Sequence, residues 1–516
     1  MRFKITVLIS LILFSYTALA EQKKELRWKV QSQSWSVRHE QLYQEFIHKL
    51  GVARKKGYCK TTNDCLKHPF ANPQYFNQNP PGLLNIFSDC ADLPFILRAY
   101  FSWMNNLPFS YPTDLVEAKR LSRRGKDIRY SKYGNIVISK HHISSGENIN
   151  NVLQTISDTI STASFRTNAS LNDSGNLFRD TYPVDIDRSA IVPGTVLYDP
   201  NGHVAVVYEV TSNGKILLMD AHPDNSISVI TYGEKFARTG MKIGGGFSNF
   251  RPFTMNGNKV SAARNSEISN YSLIQFQSGP FIFKGKTMTF HEYVRNKLAD
   301  GDVIYNPIAE FRDLLDELCQ DVKNREEAVN SAIKSNVHNK VHPFVLPENI
   351  YGTDGEWEDY ASPARDSRIK TSVKQMKEFL QKMISAYMNH EVNIEYSGDD
   401  LVRDLREIYF SKTGSCKVRP TSSLQMNLDS VLINLFALSF DPYHCAELRW
   451  GIVNSASCST SRNKMKWYEA EQGLRNRIDR DTTLKTDYDV NTLPSAPASR
   501  VEKPNFSFDQ ILEIKR

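Results

Sequence analysis

The strongest constraint on the fold is a pair of β-branched, apolar segments that flank an Asn-Gly dipeptide. Residues 202–210 read Gly-His-Val-Ala-Val-Val-Tyr-Glu-Val, and residues 215–220 read Lys-Ile-Leu-Leu-Met-Asp. Asn213 and Gly214 lie between them. Because Asn-Gly readily adopts the positive φ angles of a tight turn, the pattern predicts an antiparallel hairpin with a two-residue turn.

The predicted hairpin collects polar side chains on one face. With Asn213 and Gly214 as the turn, His203 lies opposite Asp224, and Ala205 lies opposite His222. Side chains alternate between faces along a strand, so one face carries four polar residues. These are His203, Asp220, His222 and Asp224. Such a cluster on an otherwise apolar hairpin indicates a functional site.

A cysteine precedes a segment that is too apolar to form a surface helix. Residues 88–94 read Ser-Asp-Cys-Ala-Asp-Leu-Pro, with the cysteine at Cys90, and residues 95–101 read Phe-Ile-Leu-Arg-Ala-Tyr-Phe. The apolar run predicts a core helix that begins near Ala91 or Asp92, because Pro94 disfavours an earlier start. A thiol at the beginning of a buried helix is a candidate nucleophile.

A nucleophilic thiol requires partners that this chain supplies in order. It reacts as the thiolate, so it needs a base such as an imidazole, and the imidazole needs a polar group to orient it. Cys90, His203 and either Asp220 or His222 provide these three functions. The backbone N–H groups of Cys90 and Ala91 are expected to stabilise the oxyanion.

The seven cysteines allow one pairing scheme that leaves this thiol free. They are Cys59, Cys65, Cys90, Cys319, Cys416, Cys445 and Cys458. Cys59 with Cys65 and Cys445 with Cys458 would close short loops, and Cys319 with Cys416 would join two helical segments. The scheme is one of many possible pairings.

These motifs together resemble a known family. The motifs that carry the resemblance are an Asp-Cys pair before a helix, Pro-Gly-Thr-Val-Leu-Tyr at 193–198, Gly-His-Val-Ala-Val-Val at 202–207 and a polar residue on the next strand. In these motifs the chain resembles the papain-like cell-wall cysteine peptidases and amidases of the NlpC and CHAP groups. The resemblance covers roughly residues 85–225. It implies Cys90 as nucleophile, His203 as base and His222 or Asp220 as orienting residue. The implied substrate is an amide or peptide bond, commonly in peptidoglycan.

Two other functions fit the same residues. One is a non-catalytic envelope binding or scaffold protein on a papain-like fold. The other is a transglutaminase-like acyltransferase, which uses the same Cys, His, Asp order. No cofactor or metal is predicted, since His141-His142 has no ligand partner at a useful spacing. The segment 351–368, which includes Arg365 and Arg368, is interpreted as a capping loop between helices rather than a binding loop.

The chain divides by composition and periodicity into an α+β part and a helical part. Residues 1–20 are predicted to be a signal peptide. For residues 21–253, which contain the predicted antiparallel sheet and core helix, the resemblance implies a papain-like domain. Residues 254–270 are predicted to be a linker and residues 271–490 a mainly α-helical domain, because apolar residues there recur every three or four positions. Residues 491–516 are predicted to be a loose tail.

The N-terminus and the charge indicate the compartment and exclude some partners. Arg2 and Lys4, an apolar centre at 5–13 and Ala18-Leu19-Ala20 form a signal-peptide pattern, and no later apolar stretch is long enough to span a membrane. The protein is therefore expected in the periplasm or outside the cell, not spanning a membrane. A net charge of +7 on 516 residues does not indicate a nucleic-acid partner. Peptidoglycan or a peptide is the expected partner, and the oligomeric state stays open.

Overall fold

The computed structural model describes residues 25–73, 86–118, 127–169, 179–222, 225–238, 240–256, 259–351 and 355–515. The predicted signal peptide at 1–20 and the polar residue Asp224 lie outside these ranges. The described residues are 39% helix and 18% strand, a mixed composition that is compatible with the predicted α+β class. The papain-like architecture of the N-terminal part stays a prediction.

The described residues of the N-terminal part include four α-helices and ten strands. In chain order they are α1 (Val37–Lys55), α2 (Thr62–Lys67), α3 (Leu93–Met104), β1 (Ser110–Glu117), β2 (Asn135–His142), α4 (Ile149–Thr159), β3 (Thr181–Pro183), β4 (Val196–Asp199), β5 (His203–Val210), β6 (Ile216–Ala221), β7 (Ile227–Thr231), β8 (Gly246–Phe250), β9 (Phe253–Asn256) and β10 (Lys259–Ala262). Six of the strands form an antiparallel sheet in the order β3-β8-β4-β5-β6-β7.

The two faces of this sheet pack against different layers. Val204 and Val206 belong to the core cluster that includes residues of α1 and α3. Ala205 and Val207 belong to a second cluster, which includes residues from 290–298. The alternation of apolar side chains along β5 thus buries both faces, which explains why that strand is apolar at nearly every position.

The hairpin of β5 and β6 forms as predicted, but its turn and register differ. Its loop spans Ser212 to Gly214, closed by a hydrogen bond from the Thr211 N–H to the Lys215 carbonyl. Gly214 has a φ of 72°, the left-handed conformation that ends a three-residue hairpin loop. Pairing then shifts by one residue between Val207 and Glu209.

The prediction of a two-residue turn was therefore wrong, because the loop has three residues and shifts the pairing of β5 with β6 by one position. A bulge at Tyr208 shifts the pairing by one more position. Val206 lies opposite Met219 and Val207 opposite Leu218. Two shifts of one residue restore the original alternation, because the side-chain period of a strand is two. His203 and Asp220 consequently still share a face.

The bulge residue is held by helix α1. The His48 Nδ1 lies 3.0 Å from the Tyr208 carbonyl oxygen, and a Cβ added at Gly51 would lie 2.0 Å from the Tyr208 ring. Gly51 is therefore required for the close approach of α1 to the strand, and α1 continues past it to Lys55.

The C-terminal part is mainly helical, with two short hairpins. Its elements are β11 (Phe281–Phe283), β12 (Lys286–Met288), α5 (Phe290–Leu298), α6 (Pro307–Lys334), α7 (Gly355–Tyr360), α8 (Pro363–Met388), α9 (Leu401–Ser415), β13 (Lys417–Thr421), β14 (Leu424–Asn427), α10 (Leu428–Ile433), α11 (Ala446–Arg449), α12 (Arg462–Ala470) and α13 (Gln472–Arg475). Apolar residues of α6, α8 and α9 form one buried cluster, as their spacing predicted.

Three disulfides confirm the pairing scheme considered from the sequence. Cys59 bonds Cys65, Cys319 bonds Cys416, and Cys445 bonds Cys458. The second of these joins α6 to the end of α9. The disulfides are consistent with an exported protein, because such bonds persist in oxidising compartments. In the described ranges, no helix has the length and apolar character needed to cross a membrane.

Two segments predicted to be irregular are instead packed. Residues 254–270 include the β9–β10 hairpin, and the Trp35 N–H donates to the Phe253 carbonyl at its base. In the predicted tail, Phe508 and Leu512 are buried in the cluster formed by α6, α8 and α9. The loose-tail prediction at 491–516 was wrong because a few apolar residues among prolines and polar residues are enough to bind a helical surface.

Candidate active site

The central contact of the candidate site joins two adjacent strands of the sheet. The His203 Nε2 lies 2.6 Å from Asp220 Oδ2. His203 begins β5, Asp220 is the second-last residue of β6, and their side chains are 10% and 1% exposed. Because a carboxylate accepts, Nε2 carries the proton of the neutral ring and Nδ1 presents a lone pair. The pair has the geometry of an oriented imidazole base.

His222 lies on the other side of the same carboxylate. Its Nε2 is 3.9 Å from Asp220 Oδ1, beyond hydrogen-bond range, and it bonds the hydroxyl of Ser228. The sequence left the choice between His222 and Asp220 open. The contacts identify Asp220 as the partner of His203, with His222 held by a strand-β7 residue.

Cys90 is the free cysteine among the seven, all of which the structure describes. It lies three residues before the start of α3 at Leu93, slightly farther from the helix than the sequence predicted. The backbone N–H of Val204 is near enough to its sulfur to favour the thiolate. The thiol therefore sits against the beginning of β5, beside the residue that follows His203.

The thiol and the imidazole nevertheless approach the strand from different sides. Cys90 packs with the cluster that contains Val204, whereas His203 has the same strand parity as Ala205, which belongs to the opposite cluster. Within the described residues, no hydrogen bond joins the Cys90 sulfur to the His203 ring. The structure thus brings His203, Asp220 and His222 together and places Cys90 at the edge of that group.

The loop before α3 is held by its two aspartates. Asp89 Oδ1 accepts from the N–H groups of Ala91 at 2.8 Å and Asp92 at 3.1 Å, and Asp92 Oδ1 accepts from the Asp89 N–H at 2.8 Å. The Ala91 N–H is therefore engaged, so the expectation that it stabilises an oxyanion was wrong. The aspartates instead close the turn that presents Cys90.

Burial and negative charge disfavour the thiolate of Cys90. Burial, followed by the charges of Asp89 and Asp220, raises the pKa of Cys90 to about 12. The Val204 N–H and the charge of Arg368 act in the opposite direction but do not outweigh burial. The resting thiol is therefore protonated at neutral pH.

The imidazole is neutral at the same pH. Burial and the charge of Arg368 lower the pKa of His203 to about 4, and the hydrogen bond to Asp220 opposes them. For Asp220, burial favours the neutral form, but His222, the His203 hydrogen bond and Arg368 outweigh it and hold its pKa below the ordinary value. The resting site is a neutral thiol beside a neutral imidazole and an ionised carboxylate.

Arg368 belongs to the helical part, and its role in the site was missed. It lies in the first turns of α8, and its charge acts on Cys90, His203 and Asp220. No hydrogen bond or ion pair of its guanidinium is found with other described residues. The sequence interpretation placed it in a capping loop, because nothing in local spacing connects residue 368 to residue 203.

A second arginine of the helical part reaches the same strand end. The Arg480 Nη2 donates to the Tyr130 hydroxyl at 3.3 Å and to the Tyr351 carbonyl at 3.1 Å. A Cβ added at Gly202, the residue before His203, would lie 3.6 Å from this nitrogen. Both halves of the chain therefore contribute to the surroundings of His203.

No protein-family model, curated protein or solved structure matches this chain. The chemistry open to the site therefore depends on its own residues and their geometry.

Proposed function

We propose that this chain is an exported cysteine hydrolase that cleaves an amide or peptide bond, in peptidoglycan or in a cell-envelope peptide. The observation that carries the proposal is the buried His203–Asp220 pair at the same strand end as the free thiol. A periplasmic or secreted location is part of the proposal, supported by three disulfides and by the N-terminal sequence pattern.

In the proposed reaction the thiol proton moves during attack rather than before it. The Cys90 sulfur bonds the carbonyl carbon as its proton passes to Nδ1 of His203, and Asp220 stabilises the resulting imidazolium. The imidazolium then protonates the leaving amine as the C–N bond breaks, which leaves a thioester. Water, deprotonated by His203, hydrolyses the thioester and restores the thiol. The step requires the thiol and the ring to meet at the start of β5.

Arg368 has a defined part in this proposal. Its positive charge favours the thiolate over the thiol and the neutral imidazole over the imidazolium. It therefore assists nucleophile formation and opposes protonation of the base. The same charge favours the oxyanion that develops on the carbonyl oxygen, a function for which the Ala91 N–H is not free.

The test uses purified sacculi and defined variants. The mature protein is incubated with sacculi, and released fragments are identified by mass spectrometry. Cys90→Ala and His203→Gln are each expected to lower the release rate by at least roughly 100-fold, the usual contribution of a nucleophile or base. Circular dichroism and thermal unfolding of each variant establish that it is folded. Undiminished digestion by folded Cys90→Ala protein would refute the proposal.

A non-catalytic binding protein on the same fold is the second candidate. The raised pKa of Cys90 and the placement of its side chain on the opposite face from His203 favour it. Such a protein would sediment with sacculi without releasing fragments, and Cys90→Ala would bind equally well. Co-sedimentation and fragment analysis on the same samples separate the two candidates.

Acyl transfer is a third candidate, favoured by the contact of Asp220 rather than His222 with His203. A thioester intermediate attacked by an amine instead of water would give a new amide bond. Incorporation of a fluorescent primary amine into a glutamine-containing peptide, without net hydrolysis, would identify this activity.

A further inference from the structure

A compact group of metal-binding side chains lies in the helical part, away from the candidate active site. His342 follows α6, Asp441 lies between α10 and α11, and Glu471 separates α12 from α13. One potential ligand atom from each lies within 4.8 Å of those from the other two. The side chains of His342 and Asp441 are 0% exposed, and Glu471 is also 0% exposed.

The hydrogen bonds of His342 leave one nitrogen facing an acceptor. Its Nδ1 lies 2.7 Å from the Pro343 carbonyl oxygen, which can only accept, so Nδ1 carries a proton. In the neutral ring, Nε2 then presents a lone pair. Its neighbour, at 2.8 Å, is Asp441 Oδ2, which is also an acceptor. The pair therefore requires either an additional proton between these atoms or a cation bound to both of them.

The carboxylate of Glu471 is a second buried acceptor that lacks a donor. Neither of its carboxylate oxygens has a hydrogen-bond donor among the described residues. The Arg475 Nη1 is 3.8 Å from Oε2, and this nitrogen donates instead to the Tyr468 carbonyl at 2.6 Å. The carboxylate neighbour of Glu471 is Asp441. Two buried carboxylates with oxygens within 4.8 Å of each other are costly unless a positive charge or a proton joins them.

His444 is near the group but already satisfied. The Ser439 hydroxyl lies 2.6 Å from its Nδ1, and the Lys464 carbonyl oxygen lies 3.1 Å from its Nε2. One neutral tautomer satisfies both contacts, with Nε2 as donor. His444 therefore supports the cluster without being needed as a ligand.

We propose that His342, Asp441 and Glu471 bind one divalent transition-metal ion of the Zn²⁺ type. A single cation satisfies both facing acceptor pairs at once, whereas without it two additional protons are needed, one on His342 and one between the carboxylates. An imidazole nitrogen with two carboxylate oxygens is a ligand set that suits Zn²⁺ and disfavours Ca²⁺. The Pro343 carbonyl, which accepts from His342 Nδ1, fixes the tautomer and orientation of the ring, as the second hydrogen bond of a metal-bound histidine usually does.

The proposed site is structural rather than catalytic. The three ligands are enclosed and come from segments distant in the chain, so the metal would enter as the chain folds and would join those segments. The inference is independent of the hydrolase proposal, because none of these residues contacts the His203 site in the described structure.

The first experiment requires no variant. Protein purified without chelators and with its disulfides intact is analysed for bound metals by mass spectrometry. It is then unfolded in guanidinium with EDTA, and refolded either with Zn²⁺ or with EDTA. The expected results are about one metal ion per chain and a melting temperature several degrees higher after refolding with Zn²⁺.

The second experiment separates the metal from the two-proton arrangement. In Glu471→Gln the amide can donate to Asp441 as a protonated carboxyl would, but it is a poor metal ligand. We expect metal content to fall by roughly tenfold and the melting temperature to lose its dependence on Zn²⁺. Glu469→Gln, at an exposed position of α12, makes the same charge change and should keep the metal.

The proposal is overturned if the unmodified protein holds no metal and melts at the same temperature after refolding with Zn²⁺ or EDTA. A Glu471→Gln protein as stable as the unmodified one would then assign the cluster to shared protons. If Glu471→Gln does not fold, the comparison of the unmodified protein with and without Zn²⁺ still decides the question.

Discussion

The alkylation rate of Cys90 tests the description of the site as a neutral pair. With a pKa of about 12, the thiolate fraction at pH 7.4 is about 3 × 10⁻⁵, against about 7 × 10⁻² for a free cysteine of pKa about 8.5. Alkylation should therefore be about 10³-fold slower than for a free cysteine. The rate should rise about tenfold for each pH unit up to pH 10, without a plateau.

The assay follows iodoacetamide labelling of the intact protein by mass spectrometry between pH 5 and pH 10. The other six cysteines are in disulfides, so one added label reports Cys90. Labelling in urea gives the rate of the same thiol when it is exposed, and Cys90→Ser should take up no label. A plateau between pH 5 and pH 8 at a rate near that of free cysteine would refute the reasoning, since it would require a preformed thiolate–imidazolium pair.

Two further predictions concern charges near the site. Replacing Arg368 by Gln removes a charge that lowers the pKa of His203, so His203 should titrate at higher pH when followed by NMR. Arg365→Gln, an exposed change on the same helix, should leave the titration of His203 unaltered. An unchanged titration in Arg368→Gln would contradict the placement of the Arg368 side chain. Burial and then the charge of Asp89 raise the pKa of Asp92 to about 8, above its value in the unfolded chain. Between about pH 4 and pH 8 the folded state therefore binds more protons than the unfolded state. The free energy of unfolding should fall as the pH rises through this range, by at most about 1.4 kcal/mol per pH unit. Asp92→Asn should remove that component of the slope in urea unfolding at pH 5 and pH 7.5, and equal slopes in the two proteins would argue against a protonated Asp92.

The sequence predicted the hairpin that carries His203 and Asp220 but not its register. Strand periodicity and the Asn-Gly pair are local signals, and they identified both strands. The length of the loop depends on Gly214 adopting φ of 72° at its third position, and the bulge depends on α1 packing against Tyr208. The second of these is a tertiary effect, so spacing along the hairpin does not contain it.

The cysteine pairing was within reach of sequence reasoning because two of the bridges close short loops. Cys59 and Cys65 are 6 positions apart, and Cys445 and Cys458 are 13 apart. Once those pairs form, only three cysteines are left to consider. The choice of Cys90 as the free one rested on its position before an apolar helix rather than on any pairing rule.

Contacts between distant parts of the chain were beyond prediction. Arg368 reaches a site formed by residues 90–222, and the ligands His342, Asp441 and Glu471 are separated by tens of residues. Metal and charge motifs are recognised when their members are close in sequence, and neither group has that property. The buried Leu512 escaped notice for a related reason, since its partners lie in helices far earlier in the chain.

The bulge at Tyr208 also determines which insertions and deletions this hairpin can tolerate during evolution. Asp220 shares a face with His203 because the three-residue loop and the one-residue bulge together keep the alternation of the two strands in step. Loss or gain of one residue in the loop keeps the contact only if a bulge residue is lost or gained with it, whereas a change of two residues needs no such compensation. Related chains that keep the His–Asp contact should therefore differ in this loop by even numbers of residues, or combine an odd difference with the loss or gain of a bulge.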